Sequence, residues 1–460
     1  MSRRKKIIFG ILILLLVALV VIVVILPRVL DLDRYRPQIV ELIEKQSGRP
    51  AAMGHLALTV FPRLSIRADD FTLKNPAGFP QGDFLKAQRI YAIVDVWSLW
   101  NYQVVIKSLD LERPEINLLC DLRGNWNSGN QTSPTSSAPD PPGDKPLFTL
   151  GPISNVKISK GRLSVANELP SGQAGPAFVE ANGVSGRLRQ FDPNALAESG
   201  QGESQRSSLV AEGTFEVAVL HVTNVVVNDV KSKIHLFPKQ VFFDGLEFKG
   251  YGGGARGDLS FSFVSPNTRY HTQARLSGVN VTKLLDAFPD ARGKMTGILD
   301  GDLDLDGEVG QFPDPLAAMA GSGHLTARKG RFPTLHLDTN LLQLFRVAKM
   351  GPASGDPSAF SSIAMDFTIA NDRIHTTKAK IVGNGVEIEA AGSLGLAGNG
   401  SLDYQGVARL ATSKNTLTSV LEGLTGATLK RGKMVFPFKL TGTFKNPQFT
   451  LRPNGTGNKQ

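Results

Sequence analysis

The sequence predicts a mainly β fold with one N-terminal transmembrane helix, a mostly antiparallel sheet and a few short connecting helices. Three observations support this prediction: an uncharged apolar run near the N-terminus, long stretches in which apolar and polar residues alternate, and very few segments with helical spacing. Successive side chains of a strand point to opposite faces of the sheet, so alternation indicates strands with one buried face.

The predicted transmembrane helix covers residues 7–26, an uncharged run of twenty residues with Ile7, Leu15, Val20 and Leu26 on its apolar surface. About twenty apolar residues span a ~30 Å hydrocarbon core as a helix. A cleaved signal peptide is the alternative, but its apolar region is shorter and ends in small residues, whereas this run is followed by Pro27. We expect an uncleaved anchor. The basic residues before it favour a cytoplasmic N-terminus.

Composition excludes several classes of protein. The single cysteine, Cys120, excludes an internal disulfide framework and a cysteine-rich metal site. The net charge of +10 is compatible with a position beside anionic lipid, although a solvated surface accounts for most of the basic residues. They are dispersed and form no nucleic-acid-binding stripe.

The segment "GILDGDLDLDGEVG" carries an aspartate at every second position: Asp300, Asp302, Asp304 and Asp306. A calcium loop of the EF-hand type would need a Glu at its twelfth position, but counting from Asp302 that position is Pro313. Between the aspartates lie Leu299, Leu303 and Leu305, all of one parity. The segment is therefore predicted to be a strand with a polar and an apolar face.

A spaced apolar pattern occurs twice, with an offset of 47 residues. The first copy is Ile106, Leu109, Leu111, Ile116 and Leu118, and the second is Ile153, Val156, Ile158, Leu163 and Val165. In both copies the apolar parity switches after the third position, around Pro114 and Gly161. This switch indicates two strands joined at a turn or a bulge.

Alternation continues downstream, whereas helical patterns are few. The alternating apolar residues include Leu259, Phe261, Phe263, Val386, Ile388, Phe436, Phe438 and Leu440. A helix is predicted to end at Ser47-Gly48, and further short helical patterns are "VTKLLDAF", "TNLLQLFRVA" and "TLTSVLEGLTG". These helices are too few to cover the sheet. Its apolar face must meet another sheet, its own far edge, or something that is not protein.

No motif predicts catalysis, a metal site or a cofactor. The glycines Gly252, Gly254 and Gly257 have the G-x-G-x-x-G spacing, but an alternating strand follows where dinucleotide binding needs a helix. The seven histidines show no H-E-x-x-H pairing, and there is no G-x-S-x-G, P-loop or C-x-x-C. We therefore expect a protein that is not an enzyme.

Several segments resemble the AsmA-like family of envelope proteins, in the family's order along the chain. They are Tyr35, Gly48-Arg49, Gly54, "NPAGF" at 75–79, "IKSLDLERPEINLLCDLRGNWN" at 106–127, "LEFKGYGGGARGDLSF" at 246–261, "RLSGVNVTKLLDAF" at 275–288, "MDFTIANDRIHTTKAKIVGNGVEIEAAGSLGL" at 365–396, and "FPFKLTGTFKNPQFTLRP" at 436–453. Each motif alone is degenerate, and their order behind an N-terminal anchor makes the resemblance specific.

The resemblance implies a single-pass inner-membrane protein with a periplasmic body, involved in outer-membrane assembly or lipid homeostasis. Its relatives are thought to form an extended, twisted sheet shaped as a groove or open half-barrel, similar to bridge-like lipid-transfer proteins. The implied partners are the inner membrane, phospholipid acyl chains and outer-membrane or periplasmic assembly proteins, with no nucleic acid. The alternative is a membrane-anchored scaffold for envelope assembly that carries no lipid.

Under the lipid-binding interpretation, the alternating apolar residues line the groove. The expected lining is Ile106, Leu109, Leu111, Ile116, Leu118, Val156, Ile158, Leu163, Val165, Leu259, Phe261, Phe263, Leu299, Leu303, Leu305, Val386, Ile388, Phe436, Phe438 and Leu440.

The predicted organisation is a cytoplasmic tail (1–6), the transmembrane helix (7–26), an AsmA-like N-terminal region (27–128), a Pro/Ser-rich linker (129–146), a middle β region (147–334), a connecting helix (335–350), an AsmA-like C-terminal β region (361–453) and a tail (454–460).

Overall fold

The computed structural model of the chain consists mainly of β-strands, as the alternation of apolar and polar residues predicts. The structure describes residues 31–59, 65–95, 105–128, 152–192, 209–264, 267–289, 291–309, 318–332, 359–383, 385–396, 400–411, 428–430, 432–443 and 446–451. The predicted transmembrane helix, the Pro/Ser-rich linker, the 335–350 helix, the "TLTSVLEGLTG" helix and both tails lie outside these residues. Within them, no helix has the length and apolarity needed to cross a membrane.

The described chain forms twenty-one strands and two short α-helices. A 3-10 turn at Leu32–Tyr35 leads into α1 (Arg36–Ser47), followed by β1 (Ala51–Ala52), β2 (Leu56–Thr59), β3 (Ser65–Lys74), β4 (Asp83–Val94), β5 (Ile106–Cys120), β6 (Ile153–Glu168), β7 (Ala174–Phe191), β8 (Ala211–Val222), β9 (Val225–Phe237), β10 (Gln240–Gly250), β11 (Gly253–Val264) and β12 (Asn267–Asn280). Then come α2 (Val281–Leu285), β13 (Ile298–Val309), β14 (Ala320–Arg331), β15 (Ala359–Ala370), β16 (Arg373–Gly383), β17 (Val386–Gly395), β18 (Leu402–Ala411), β19 (Thr428–Lys430), β20 (Lys433–Gly442) and β21 (Pro447–Leu451).

Helix α1 ends where the sequence predicts. Gly48 has φ 65°, the left-handed conformation that glycine adopts without steric cost, and its N–H donates to the carbonyl of Glu44 at 2.8 Å. The Glu44 side chain in turn accepts from the N–H of Ala51 at 2.8 Å, which ties the helix to β1. The short helix α2 lies within the predicted "VTKLLDAF" segment.

The strands fall into two units. Unit 1 comprises Met1–Thr223 and Lys231–Phe242, and unit 2 comprises Asn224–Val230 and Phe243–Gln460. In unit 1, β3 pairs with both β1 and β2, and the sheet continues through β4 to β8 in chain order. In unit 2, β11 to β18 pair in chain order, and β20 then pairs with β18, β19 and β21.

Each of these strand pairs is antiparallel except β5 with β6, which are parallel. Parallel neighbours need a connection that returns along the full length of the strand. The prediction of a mostly antiparallel sheet is confirmed.

The parity switch in the repeated pattern lies inside a continuous strand in each copy, so it is not a turn between two strands. Arg113 in β5 and Lys160 in β6 have φ of 48° and 54°, and each lies within one continuous strand. Asp70 in β3 and Gly183 in β7 also have positive φ, so four strands of unit 1 carry an irregularity. The switch in apolar parity falls at these positive-φ residues, which interrupt the regular side-chain alternation. The apolar residues before and after it therefore stay on one face.

Candidate functional site

The repeated apolar pattern forms neighbouring pairs in unit 1. In the β5–β6 register, Leu109 faces Val156, Leu111 faces Ile158, Ile116 faces Leu163 and Leu118 faces Val165. Val156 is buried and the other seven side chains are half-buried. Ile106, the first residue of β5, is half-buried and pairs with Val94. The structure thus brings together residues that the sequence places 47 positions apart.

These pairs belong to rows that cross the sheet of unit 1. The row through Leu109 consists of Leu58, Ile66, Ala92, Leu109, Val156 and Leu188, each from a successive strand between β2 and β7. All of them except Val156 are half-buried. We call the surface that carries this row and the β5–β6 pairs the apolar face of unit 1.

Unit 2 has a corresponding apolar face. One row consists of Leu299, Ala327, Ile363, Ile381, Ile388, Ala408 and Phe436, from seven neighbouring strands between β13 and β20. Leu303, Leu305, Leu259 and Phe261 have the parity of this face and are half-buried, whereas Phe263 is 41% exposed. The row joins three residues of the predicted lining, Leu299, Ile388 and Phe436, that lie far apart in sequence.

The C-terminal part of this face is a packed hydrophobic cluster. Phe436 is fully buried and Phe438 nearly so, together with Ala408, Leu410 and Met434. Val386, Ile388 and Leu440 of the predicted lining are half-buried against this cluster. Phe436 and Phe438 therefore contribute to packing, while most of the predicted lining retains accessible surface.

Glycines face aromatic rings across the strands of unit 2. The direct partners are Gly307 and Tyr270, Gly323 and Phe367, Gly330 and Phe360, Gly392 and Tyr404, and Gly406 and Phe438. A Cβ atom at Gly323 would lie 2.6 Å from Cζ of Phe367, and one at Gly406 would lie 2.9 Å from Cζ of Phe438. Each ring thus occupies the space above its partner glycine. The rings lie over the backbone of the neighbouring strand, so they do not project far above the sheet on its apolar face. These pairs could not be predicted from the sequence, because each joins residues of different strands.

Charged side chains occupy the opposite face of unit 2, as the aspartate run predicts. Asp302 pairs with Arg275 at 2.6 Å and Asp300 pairs with Arg328, both across strands. The pKa of Asp300 is lowered, chiefly because its carboxylate accepts from the N–H of Gly278 and also because of Arg328. β13 is confirmed as a strand with aspartates on its polar face.

A second group of charges lies on the polar face at β16, β17 and β20. Glu387 pairs with Lys380 at 2.7 Å and with Lys433 at 3.2 Å. These two ammonium groups lower the pKa of Glu387 to about 2, with the Lys380 hydrogen bond as the largest cause. Glu389 pairs with Arg409 at 2.9 Å. The two faces of unit 2 therefore differ sharply in polarity.

Two of the motifs that carry the family resemblance meet in unit 1. Asn127 is fully buried, and its side chain accepts from the N–H of Leu119 at 2.9 Å and donates to Asn75 Oδ1 and to the carbonyl of Asn117, both at 2.8 Å. Asn75 in turn donates to the carbonyl of Pro80 at 2.9 Å. The "NPAGF" turn and the end of β5 are thus held together, which gives these motifs a structural role.

Cys120, the last residue of β5, is also buried. Its side chain is 1% exposed, and this burial, aided by the charge of Asp121, raises the thiol pKa to about 11. Because the thiolate is the nucleophilic form of cysteine, this burial and the raised pKa disfavour nucleophilic chemistry at Cys120.

The model of the AsmA family matches residues 1–172. This N-terminal segment is AsmA-like. The matched segment contains α1 and β1 to β6, and it includes the parallel β5–β6 pair and the Asn75–Asn127 contact. No curated protein and no solved structure matches the chain. The sequence resemblance over residues 365–453 lies outside the matched segment and stays a prediction.

Proposed function

We propose that this AsmA-like protein binds phospholipid acyl chains on its apolar faces and transfers lipid without catalysing a reaction. In this proposal residues 7–26 anchor the chain in the inner membrane, and the body lies in the periplasm. Outer-membrane assembly and lipid homeostasis follow from the family resemblance.

The half-buried apolar rows are the observation that carries this proposal. In unit 2 the row from Leu299 to Phe436 crosses seven strands, and Ile363, Ile381 and Ile388 at its centre retain accessible surface. Soluble proteins rarely expose contiguous apolar patches of more than a few hundred Å², and larger ones indicate a binding surface. An acyl chain is a fitting occupant, because such a face offers apolar contact and no pattern of polar groups.

The glycine–aromatic pairs support the same proposal. Because the rings of Tyr270, Phe367 and Tyr404 lie over glycines, they do not stand up into the space above the sheet. Burial of each CH₂ group contributes about 0.8 kcal/mol, so an acyl chain gains from such a surface along its whole length. The lipid head group would remain in solvent, and chains could slide between similar apolar positions.

A scaffold that carries no lipid would use the same faces to bind another protein. The experiment therefore measures lipid directly. The full chain is purified in detergent, and bound phospholipid is quantified by mass spectrometry together with uptake of a fluorescent phospholipid. The test variant carries Leu303→Asp and Leu305→Asp, which add two charges to the apolar face of β13.

The matched control adds two charges to the polar face. Ser277 of β12 and Thr368 of β15 are exposed on that face, so Ser277→Asp with Thr368→Asp changes the net charge equally. We expect the test variant to lose most of its bound lipid and the control to retain it, with both variants folded by circular dichroism. Equal lipid content in the two folded variants, or a wild-type chain without lipid, would refute lipid binding and leave the scaffold.

A further inference from the structure

Three side chains with metal-binding atoms meet on the polar face of unit 2. They are His271 of β12 and Asp304 and Asp306 of β13, and their ligand atoms all lie within 4.8 Å of one another. His271 Nδ1 is 2.9 Å from Asp306 Oδ1 and 3.8 Å from Asp304 Oδ1. All three are exposed to solvent, so an ion could reach them without rearrangement of the sheet.

The sheet register fixes this arrangement. His271 and Asp306 are direct partners in the antiparallel β12–β13 ladder, and Asp304 lies two residues before Asp306 on the same face. Gln273, the direct partner of Asp304, donates to Asp304 Oδ2 at 3.1 Å and orients that carboxylate. The three donors are thus held by backbone pairing.

The spacing of the donors fits a small divalent ion. Zinc binds histidine nitrogen and carboxylate oxygen at about 2.0–2.2 Å in tetrahedral geometry, which places neighbouring donors about 3.3 Å apart. The two measured separations from His271 Nδ1 lie on either side of that value. A metal ion between the three groups therefore needs only small side-chain rotations.

Neither of the two carboxylates pairs with an arginine or a lysine in the described part of the chain. Arg269 pairs with Glu308 at 3.4 Å, and Arg275 pairs with Asp302 at 2.6 Å. Asp304 and Asp306 each lie close to His271 Nδ1, and Asp304 also accepts from the neutral amide of Gln273. This differs from Asp300, Asp302, Glu387 and Glu389, each of which has an arginine or lysine partner.

We propose that His271, Asp304 and Asp306 form a binding site for a divalent transition metal, with Zn²⁺ as its occupant. One nitrogen and two oxygen donors would hold the ion, and its fourth position would stay open to water. The bound ion would link β12 to β13 on the face opposite the apolar residues. This site is independent of lipid binding. Sequence analysis predicted no metal site, because the histidine and the aspartates lie on different strands.

The test is a Zn²⁺ titration of the full chain, purified in detergent and freed of metal with a chelator, followed by calorimetry. The variants are His271→Ala and Asp306→Asn, and the matched control is His324→Ala. His324 lies on the same face and contacts Asp366 at 2.6 Å. This pair offers two metal-binding groups, whereas the proposed site offers three.

We expect the wild-type chain to bind one Zn²⁺. Each test variant should weaken that binding at least about 100-fold, since outer-shell partners of a metal site alone are worth 10–100-fold. The control should bind as the wild type does. Absence of saturable binding to the wild type, equal binding by His271→Ala and wild type, or stronger binding of Ca²⁺ than of Zn²⁺ would overturn the proposal. Because His271 and Asp306 are exposed, both variants should unfold like the metal-free wild type, which a urea titration verifies.

Discussion

The ring of Phe367 on β15 fills the space that a side chain at Gly323 on β14 would occupy. The two residues are direct partners in the sheet, and a Cβ atom at Gly323 would lie 2.6 Å from Cζ of the ring. The same relationship recurs at four other glycine–aromatic pairs in the described part of unit 2. It connects a local feature of the sequence, a glycine within a strand, to the shape of the apolar face.

Substitution Gly323→Val tests this relationship. The valine would displace the Phe367 ring, and forced repacking of this kind costs about 1–3 kcal/mol in the free energy of unfolding. We expect that loss in a urea titration, accompanied by a lower content of bound lipid. The control is Ser322→Val, because Ser322 is exposed on the polar face of the same strand. A stability of Gly323→Val equal to that of the control would contradict the packing role of the ring.

Substitution Phe436→Ala separates packing residues from accessible ones. Phe436 is fully buried in the C-terminal hydrophobic cluster of unit 2, so its truncation should lower the free energy of unfolding by about 3–5 kcal/mol. Phe263 is 41% exposed, and Phe263→Ala should cost less than about 1 kcal/mol. Chemical denaturation of both variants checks the difference. Similar losses would mean that the two phenylalanines have similar surroundings.

The buried side-chain amide of Asn127 should contribute to the stability of unit 1. Asn127→Ala would leave the N–H of Leu119 and the side chain of Asn75 without their partner, and an unsatisfied buried group costs about 1–3 kcal/mol. The loss should appear in the unfolding transition of unit 1. Asn155→Ala, at an exposed position of β6, should stay within about 0.5 kcal/mol of the wild type. An equal effect of the two substitutions would argue against the Asn75–Asn127 contact.

Acid should weaken unit 2 through Glu387. Its pKa is about 2 in the folded chain, against an ordinary value of 4.5. The ion pairs with Lys380 and Lys433 therefore stabilise the fold above pH 4.5, and this contribution is lost as the pH falls from 4.5 towards 2. Glu387→Gln should be less stable than the wild type at pH 7, and the difference should shrink across that interval.

Denaturation midpoints at a series of pH values measure this effect. Asp372→Asn, in the exposed turn between β15 and β16, is the control and should follow the wild type. A difference between Glu387→Gln and wild type that does not change with pH would show that the ion pairs are not its source.

Local patterns predicted much of the fold. The Ser47-Gly48 end of α1 and the strand over Leu299, Leu303 and Leu305 were predicted correctly, because each depends on residues within one segment. The expectation that a strand and not a helix follows the first of the G-x-G-x-x-G glycines is also confirmed: β11 begins directly after Gly252 and contains Gly254 and Gly257.

Pairing between distant segments could not be predicted in the same way. The 47-residue repeat was visible, but its spacing does not reveal that Leu109 and Val156 become parallel neighbours, because pairing depends on the path of the connection between them. The cluster of His271, Asp304 and Asp306 and the glycine–aromatic pairs depend on cross-strand register. That register is set by packing along whole strands.

The burial of Cys120 makes the rate of thiol labelling a probe of local opening in unit 1. The thiolate is the form that reacts with labelling reagents, and the folded chain holds Cys120 both covered and protonated. Labelling of Cys120 therefore requires a local opening at the end of β5 that exposes the thiol to solvent. The chain has no second cysteine, so unit 2 contributes no signal. The labelling rate of the unmodified protein therefore reports the rate of that opening directly.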